Sequence, residues 1–286
     1  MKRIFAYPYI VWMAIFIVAP LLLVFYYALT VTALDGQVSF TLANFRMFFE
    51  GITEGEPFFS RLYVRVATHS VSMAVQTTII CFVLGYPLAY ILASKGFSEK
   101  SFLIFMFIAP MWMNFLVRTY AWLTILERNG LVNTLLQRMG LPIIDILFTD
   151  TAVLLGMVYN FLPFMVLPIY TALTRMDHRL IEAAQDLGAN PRNIFLRVVF
   201  PMSLPGIISG ITMVFMPAVA TFIIPNLLGG GQYFMLGNLV EQQFIRVGNW
   251  HFGSVVAVIL VIMMFISMAV LSYVDREEEA EGGVTI

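Results

Sequence analysis

Three histidines, a run of glycines and a few isolated charges are the residues of this chain with chemistry to offer. His69, His178 and His251 fall in three separate regions without ligand spacing, so they suggest no metal site. Gly229, Gly230 and Gly231 are followed by Gln232 and no lysine, so the phosphate cradle of a P-loop is missing. A G-x-S-x-G nucleophile elbow is absent as well. The chain therefore reads as a non-enzyme that needs no cofactor and draws its energy from a partner. Two features remain: one arginine inside an apolar run, and one polar stretch held between two apolar ones.

Arg118 is that arginine. A charge at mid-membrane costs about 2.5–3.5 kcal/mol on insertion scales, so it is expected to face protein or water. Pro110, Asn114 and Arg118 recur at intervals of four, which puts them on one helical face if the helix continues. Three roles are open to Arg118: binding carbonyls at a broken helix, pairing with Glu127, Asp145 or Asp150, or snorkelling to the external interface. Direct contact with a cationic substrate is disfavoured by like charge.

The polar stretch from Glu182 to Pro201 reads EAAQDLGANPRNIFLRVVFP. Asp177 precedes it as a helix N-cap, able to accept orphan N–H groups. Gly188 follows Leu187 as a C′ residue, where a left-handed backbone costs glycine little. Asn190 and Pro191 read as the N-cap and first position of a second helix. Pro201 and Pro205 are expected to stop that helix before the next apolar run. The expectation is a short helix, a glycine turn and a second helix between two membrane spans.

This segment resembles the EAA loop of ABC-importer permeases, whose pattern is E-A-A, three residues, G, nine residues, then I-x-L-P. Glu182, Ala183, Ala184 and Gly188 match outright and Pro201 falls at the right distance, while Val198 and Phe200 stand where Ile and Leu are usual. The resemblance implies that the loop docks onto a cytoplasmic ATPase. Small Ala183 and Ala184 suit close approach, and Glu182 offers a charge for orientation.

The elements that must carry these residues are apolar. The 286 residues are 60% hydrophobic and 12% charged, with net charge -1; soluble domains carry about 25% charged residues. A multi-spanning, all-α membrane protein follows, and no basic tract suggests nucleic acid. Cys81 stands alone in an apolar run, which rules out an intramolecular disulfide.

Spans of roughly 20 residues are expected near 8–32, 66–94, 101–125, 151–173, 206–226 and 252–274. The first follows Lys2 and Arg3 but exceeds a signal-peptide core, so it reads as an uncleaved span. With both termini cytoplasmic, inside segments hold Lys2, Arg3, Lys95, Lys100, Arg175, Arg179, Arg192, Arg197 and Arg276. Outside segments hold Arg46, Arg61, Arg65, Arg128, Arg138 and Arg246, a moderate bias in the expected sense. Pro87, Pro110, Pro163, Pro168 and Pro217 lie in or beside spans and point to broken or kinked helices around a pathway. A transmembrane permease domain is expected over 1–274, with a cytoplasmic coupling loop at about 174–205, then a disordered acidic tail over 275–286.

Further runs sharpen the resemblance: Ala109 to Tyr120 (APMWMNFLVRTY), Tyr159 to Tyr170 (YNFLPFMVLPIY) and Leu236 to Phe244 (LGNLVEQQF). These are similar to the spermidine/putrescine permeases within the binding-protein-dependent type I ABC importers, over about residues 65–272. The resemblance implies a bacterial inner-membrane subunit paired with a second permease, usually a heterodimer. It also implies a cytoplasmic ATPase dimer and an extracellular or periplasmic polyamine-binding protein. Along a polycation's route, carbonyls, carboxylates and aromatic faces are expected; the candidates are Trp112, Asn114, Arg118, Tyr120, Tyr159, Asn160 and Glu241. The alternatives are an ABC permease for another small organic solute and a stand-alone secondary transporter. The second is weakened because the expected spans contain no acidic residue.

Overall fold

A computed structural model of the chain describes residues 7–32, 37–50, 62–94 and 100–282. Lys2, Arg3, Arg61, Lys95 and the last four residues of the acidic tail lie outside the described residues. The protein is mostly helical. Helix α1 spans Tyr7–Ala28, and a short hairpin of β1 (Thr30–Thr32) and β2 (Val38–Phe40) follows, antiparallel with Val31 opposite Ser39. Next come α2 (Ala43–Glu50) and the long α3 (Leu62–Ala93). Then α4 (Lys100–Ile108) runs into a 3-10 turn at Ala109–Trp112, followed by α5 (Phe115–Leu126) and α6 (Leu131–Arg138). The second half holds α7 (Asp150–Arg175), α8 (His178–Asp186), α9 (Pro191–Ala220), α10 (Ile223–Leu228), α11 (Leu236–Glu241) and α12 (Trp250–Gly282).

Five of these helices are long and apolar enough to cross a membrane: α1, α3, α7, α9 and the Trp250–Val270 part of α12. A sixth span is formed if the bent pair Ile104–Trp112 and Phe115–Arg138, which meet at 99°, counts as one. Counted that way the pair is the third of the six expected spans, and several bounds move. The first span ends at Ala28 and gives way to a strand. The span expected at 206–226 starts at Pro191, ends at Ala220 and is followed by the separate short α10. The acidic stretch expected to be disordered continues α12 in helical form through Gly282.

Prolines explain two further departures. Pro201 and Pro205 do not stop the second hairpin helix, because α9 passes through both. The turn just before them, Phe195–Val199, is a π-helix. Its wider winding lets the chain absorb a ring that would clash with the carbonyl four residues earlier. Pro87, Pro163, Pro168 and Pro217 also sit inside continuous helices. Only at Pro110 does a break of this size occur among the described residues, so Pro110, Asn114 and Arg118 do not share one helical face.

By contacts the chain divides into a smaller unit, Met1–Ser70 with Phe234–Phe265, and a larger one, Val71–Tyr233 with Ile266–Ile286. In the smaller unit, His251 is a tie: Nδ1 lies 3.1 Å from the Tyr27 carbonyl and Nε2 3.1 Å from the Thr32 hydroxyl. Phe48, Tyr63 and Phe252 form a ring cluster there, with Phe48 stacked on Tyr63. The Leu236 N–H, at the start of α11, donates to Ser70 Oγ at 2.7 Å.

The larger unit is organised by α7 against α9. Gly206 and Gly210, spaced as small-xxx-small, let the two backbones approach. A Cβ at Gly206 would lie 2.6 Å from Ala172 Cβ and 2.8 Å from the Pro168 carbonyl oxygen; at Gly210 it would lie 2.8 Å from Met165 Sδ. Met165, Val166 and Ile169 of α7 and Ile207 and Val214 of α9 are buried along this pair. Gly206→Val is therefore expected to cost about 1–3 kcal/mol through overpacking, read as a lower thermal transition of the solubilised protein. An unchanged transition would mean that the α7–α9 contact is not close.

Candidate functional site

Every capping residue expected in the polar hairpin is where local chemistry puts it. Asp177 Oδ1 accepts the Arg179 N–H at 3.0 Å and starts α8. The end of α8 is a Schellman turn. The Gly188 N–H donates to the Gln185 carbonyl at 2.9 Å, the Ala189 N–H to the Ala184 carbonyl at 3.0 Å, and Gly188 has φ +77°. Asn190 Oδ1 then accepts the Asn193 N–H at 2.8 Å, with Pro191 at the first helical position. Glu182, Ala183 and Ala184 lie on α8, and Pro201 lies eleven residues into α9.

Sequence reasoning missed the most exposed large apolar residue of the hairpin. Leu187, between Asp186 and Gly188, is 88% exposed. The signal was available: an aliphatic residue directly before a C′ glycine has no turn of helix beyond it to pack on.

The hairpin is anchored to α3. The Ser203 hydroxyl donates to the Phe200 carbonyl at 2.8 Å, which leaves Tyr86 Oη to donate to Ser203 Oγ at 3.1 Å. The rings of Tyr86, Tyr90, Phe195 and Phe200 cluster around this bond, with centroid separations from 5.7 to 6.3 Å. Between the hairpin and the ends of α3 and α7 lies a cavity of about 280 Å³, lined among others by Tyr90, Leu173, Met176, Glu182 and Gln185.

The other candidates are partly brought together. Asn114 is the N-cap of α5 and accepts the Leu116 N–H at 2.8 Å. Arg118, one turn on, is 9% exposed. Its Nε has no hydrogen-bond partner, and among the described residues it forms no ion pair with Glu127, Asp145 or Asp150. Its Cζ lies 6.0 Å from the Phe115 ring centroid. Tyr159 sits on α7 and meets Trp122 of α5 edge-on at 5.3 Å. Its neighbour Asn160 is 2% exposed, donates to the Gly156 carbonyl at 2.8 Å and keeps an unpartnered Oδ1. Trp112 and Tyr120 are exposed.

Glu241 belongs to the smaller unit. It closes the short α11, its side chain is 16% exposed, and Oε1 pairs with Arg246 Nε at 3.3 Å, so it is a half-buried carboxylate at a helix end. Trp112, Asn114, Arg118, Tyr120, Tyr159 and Asn160 all belong to the larger unit.

The Schellman turn makes a local test. Valine at position 188 must adopt a left-handed backbone, which costs about 1–2 kcal/mol and more for a β-branched side chain. Gly188→Val should raise hydrogen exchange selectively over 178–190 while α7 keeps its protection. Equal protection in the variant would remove the argument that glycine is required there.

Comparison with known proteins gives these features a context. Residues 85–277 match the family described as binding-protein-dependent transport system inner membrane component. The chain is 39% identical over 255 residues to the spermidine/putrescine transport system permease protein PotB of Haemophilus influenzae, covering 88% of this chain and 86% of that one. It is 39% identical to the PotB protein of Escherichia coli over 211 residues, 73% of this chain and 77% of that one. It is also 33% identical to the inner membrane ABC transporter permease protein YdcU of Escherichia coli, over 71% of this chain and 69% of that one. In fold it superposes on a chain of a bacterial ABC transporter that imports the acidic polysaccharide alginate. The TM-score is 0.80 at 14% identity, over 96% of this chain and 95% of that one. On a chain of the methionine ABC transporter MetNI, in an inward-facing conformation, the TM-score is 0.56 at 20% identity, over 75% and 95%. The match over more than half of the chain, the extent of the shared identity and the multi-pass apolar helices together show that the chain belongs to the binding-protein-dependent transport system inner membrane components, the permease subunits of ABC importers.

Proposed function

We propose that this permease carries polyamines, spermidine or putrescine, across a bacterial inner membrane with both termini in the cytoplasm. The observation that carries this reading is the 39% identity to a spermidine/putrescine permease over 88% of the chain. A second permease subunit completes the pathway, a pair of cytoplasmic ATPases supplies the energy, and an external polyamine-binding protein delivers the solute. The chain itself hydrolyses nothing.

The hairpin of α8 and the start of α9 is the part that meets the ATPase. Glu182, Ala183, Ala184 and Gly188 shape it, and Leu187 at its tip offers an apolar knob to a cleft in the partner. Because α9 is continuous from Pro191 to Ala220, displacement of the hairpin is passed directly into a membrane span. ATP shifts the equilibrium only by binding one arrangement of the assembly more tightly than the other. Trp112, Asn114, Arg118, Tyr120, Tyr159, Asn160 and Glu241 are the pathway candidates, with Asn114 and Arg118 acting at the break in the third span. A second reading, a permease for a different small organic solute, draws on the architecture shared with an importer of an acidic polysaccharide.

The test is ATP-driven uptake of labelled spermidine by the reconstituted assembly, with putrescine and unrelated solutes as competitors. Spermidine uptake displaced by putrescine supports the first reading; ATP-driven uptake of another solute with none of spermidine supports the second. Leu187→Asp is expected to lower uptake at least tenfold while the ATPase subunits still hydrolyse ATP, since a charge in an apolar contact forfeits about 1.4 kcal/mol or more. Wild-type uptake in that variant would remove Leu187 from the docking surface.

A further inference from the structure

Two positive poles lie at the start of α5, and among the described residues Arg118 forms no ion pair. The first is the start of α5, twelve residues long, whose amide N–H groups carry about half a positive charge. Its first turn holds no acidic residue, and the Asn114 side chain takes up only the Leu116 N–H. The second is Arg118, whose guanidinium is a planar, delocalised cation with donors in a fixed fork. Helical side chains lean toward the N-terminus of their helix. Arg118 does so, because its Cζ lies 6.0 Å from the ring of Phe115, the first helical residue. It is more than nine-tenths buried, and its Nε lacks a hydrogen-bond partner among the described residues.

A buried guanidinium one turn from a helix N-terminus, in no ion pair among the described residues, is an unfavourable pairing of like signs. The same arrangement is complementary to an anion, since broken membrane helices direct their amide ends at negative groups. We propose that the start of α5 and Arg118 together form a binding site for a small monovalent anion, either a halide from solution or the carboxylate of a small solute. Asn114 sets the amide pole by fixing where α5 begins, and Arg118 Nε supplies the charged donor. The anion neutralises a positive charge that would otherwise repel a polyammonium solute in the same span. The site itself is independent of the polyamine reading; only that last consequence rests on it.

The experiment uses the complete importer, purified without halide or carboxylate in sulfate and then exchanged into bromide. Anomalous scattering should show bromide within about 4 Å of the Arg118 guanidinium, a charge-assisted contact distance. Chloride-35 line broadening by the wild type should fall several-fold in Arg118→Gln. A second arm measures binding of labelled 4-aminobutanoate. Saturable binding that chloride displaces, and that Arg118→Gln loses, identifies the solute carboxylate as an occupant. Initial uptake of diamine should drop about 3- to 10-fold when sulfate replaces chloride, and this dependence should vanish in Arg118→Gln. Wild-type protein that binds neither bromide nor 4-aminobutanoate at Arg118 overturns the proposal, even if Arg118→Gln fails to assemble. An anion bound at Arg118 in an importer that takes up no polyamine leaves the site standing and removes the polyamine reading alone.

Discussion

Hydrocarbon offers no hydrogen bond to a peptide group, and this single constraint decides where the chain can break. Five prolines inside apolar helices would each release a carbonyl, yet the helices run through them. Before Pro201 the winding itself widens, into the π-helix at Phe195–Val199. Where a span does break, at Met113 and Asn114, a side chain closes the new helix start at once: Asn114 accepts the Leu116 N–H. The break is thus a finished structural feature with its own cap. It brings a buried charge to the same place, because Arg118 follows the cap by one turn.

A second dependence links the hairpin to the interior of the larger unit. Gly206 and Gly210 hold α9 against the backbone of α7, and the Tyr86–Ser203 bond holds the beginning of the same helix against α3. Both contacts lie on the helix that leaves the hairpin. Under the proposed coupling role, a push on α8 reaches two neighbouring spans through rigid contacts, without a flexible linker. The small-residue stripe matters here because backbone-to-backbone packing has no long side chains to yield under load.

The hairpin was legible in the sequence because its determinants are local. Asp177, Gly188, Asn190 and Pro191 each act on backbone groups within three or four residues, and all four occupy the positions their chemistry predicts. The spans were legible as apolar runs for the same reason. What failed depended on winding or on distant partners. Pro201 and Pro205 looked like stops because a π-turn leaves no compositional mark. The stretch 101–125 looked like one helix because hydropathy is uniform across the bend, although Pro110 and Asn114 held the clue as a turn former followed by an N-cap. The helix that carries Glu241 was not seen because α11 is too short to stand out. Leu187 was overlooked because it sits in a polar segment and its exposure is a property of the finished turn.

The wide turn at Phe195–Val199 also bears on how this chain tolerates changes in length. A π-turn accommodates one more residue than an α-turn over a similar rise. Excising a single residue there would relax the turn to ordinary winding and leave Gly206, Gly210 and Val214 opposite the same neighbours. Excision anywhere else in this helix would swing every later side chain by about 100° around the axis and pull the glycine stripe out of its groove. The turn is therefore a register buffer, the place where the hairpin-bearing helix can gain or lose a residue without misaligning the rest.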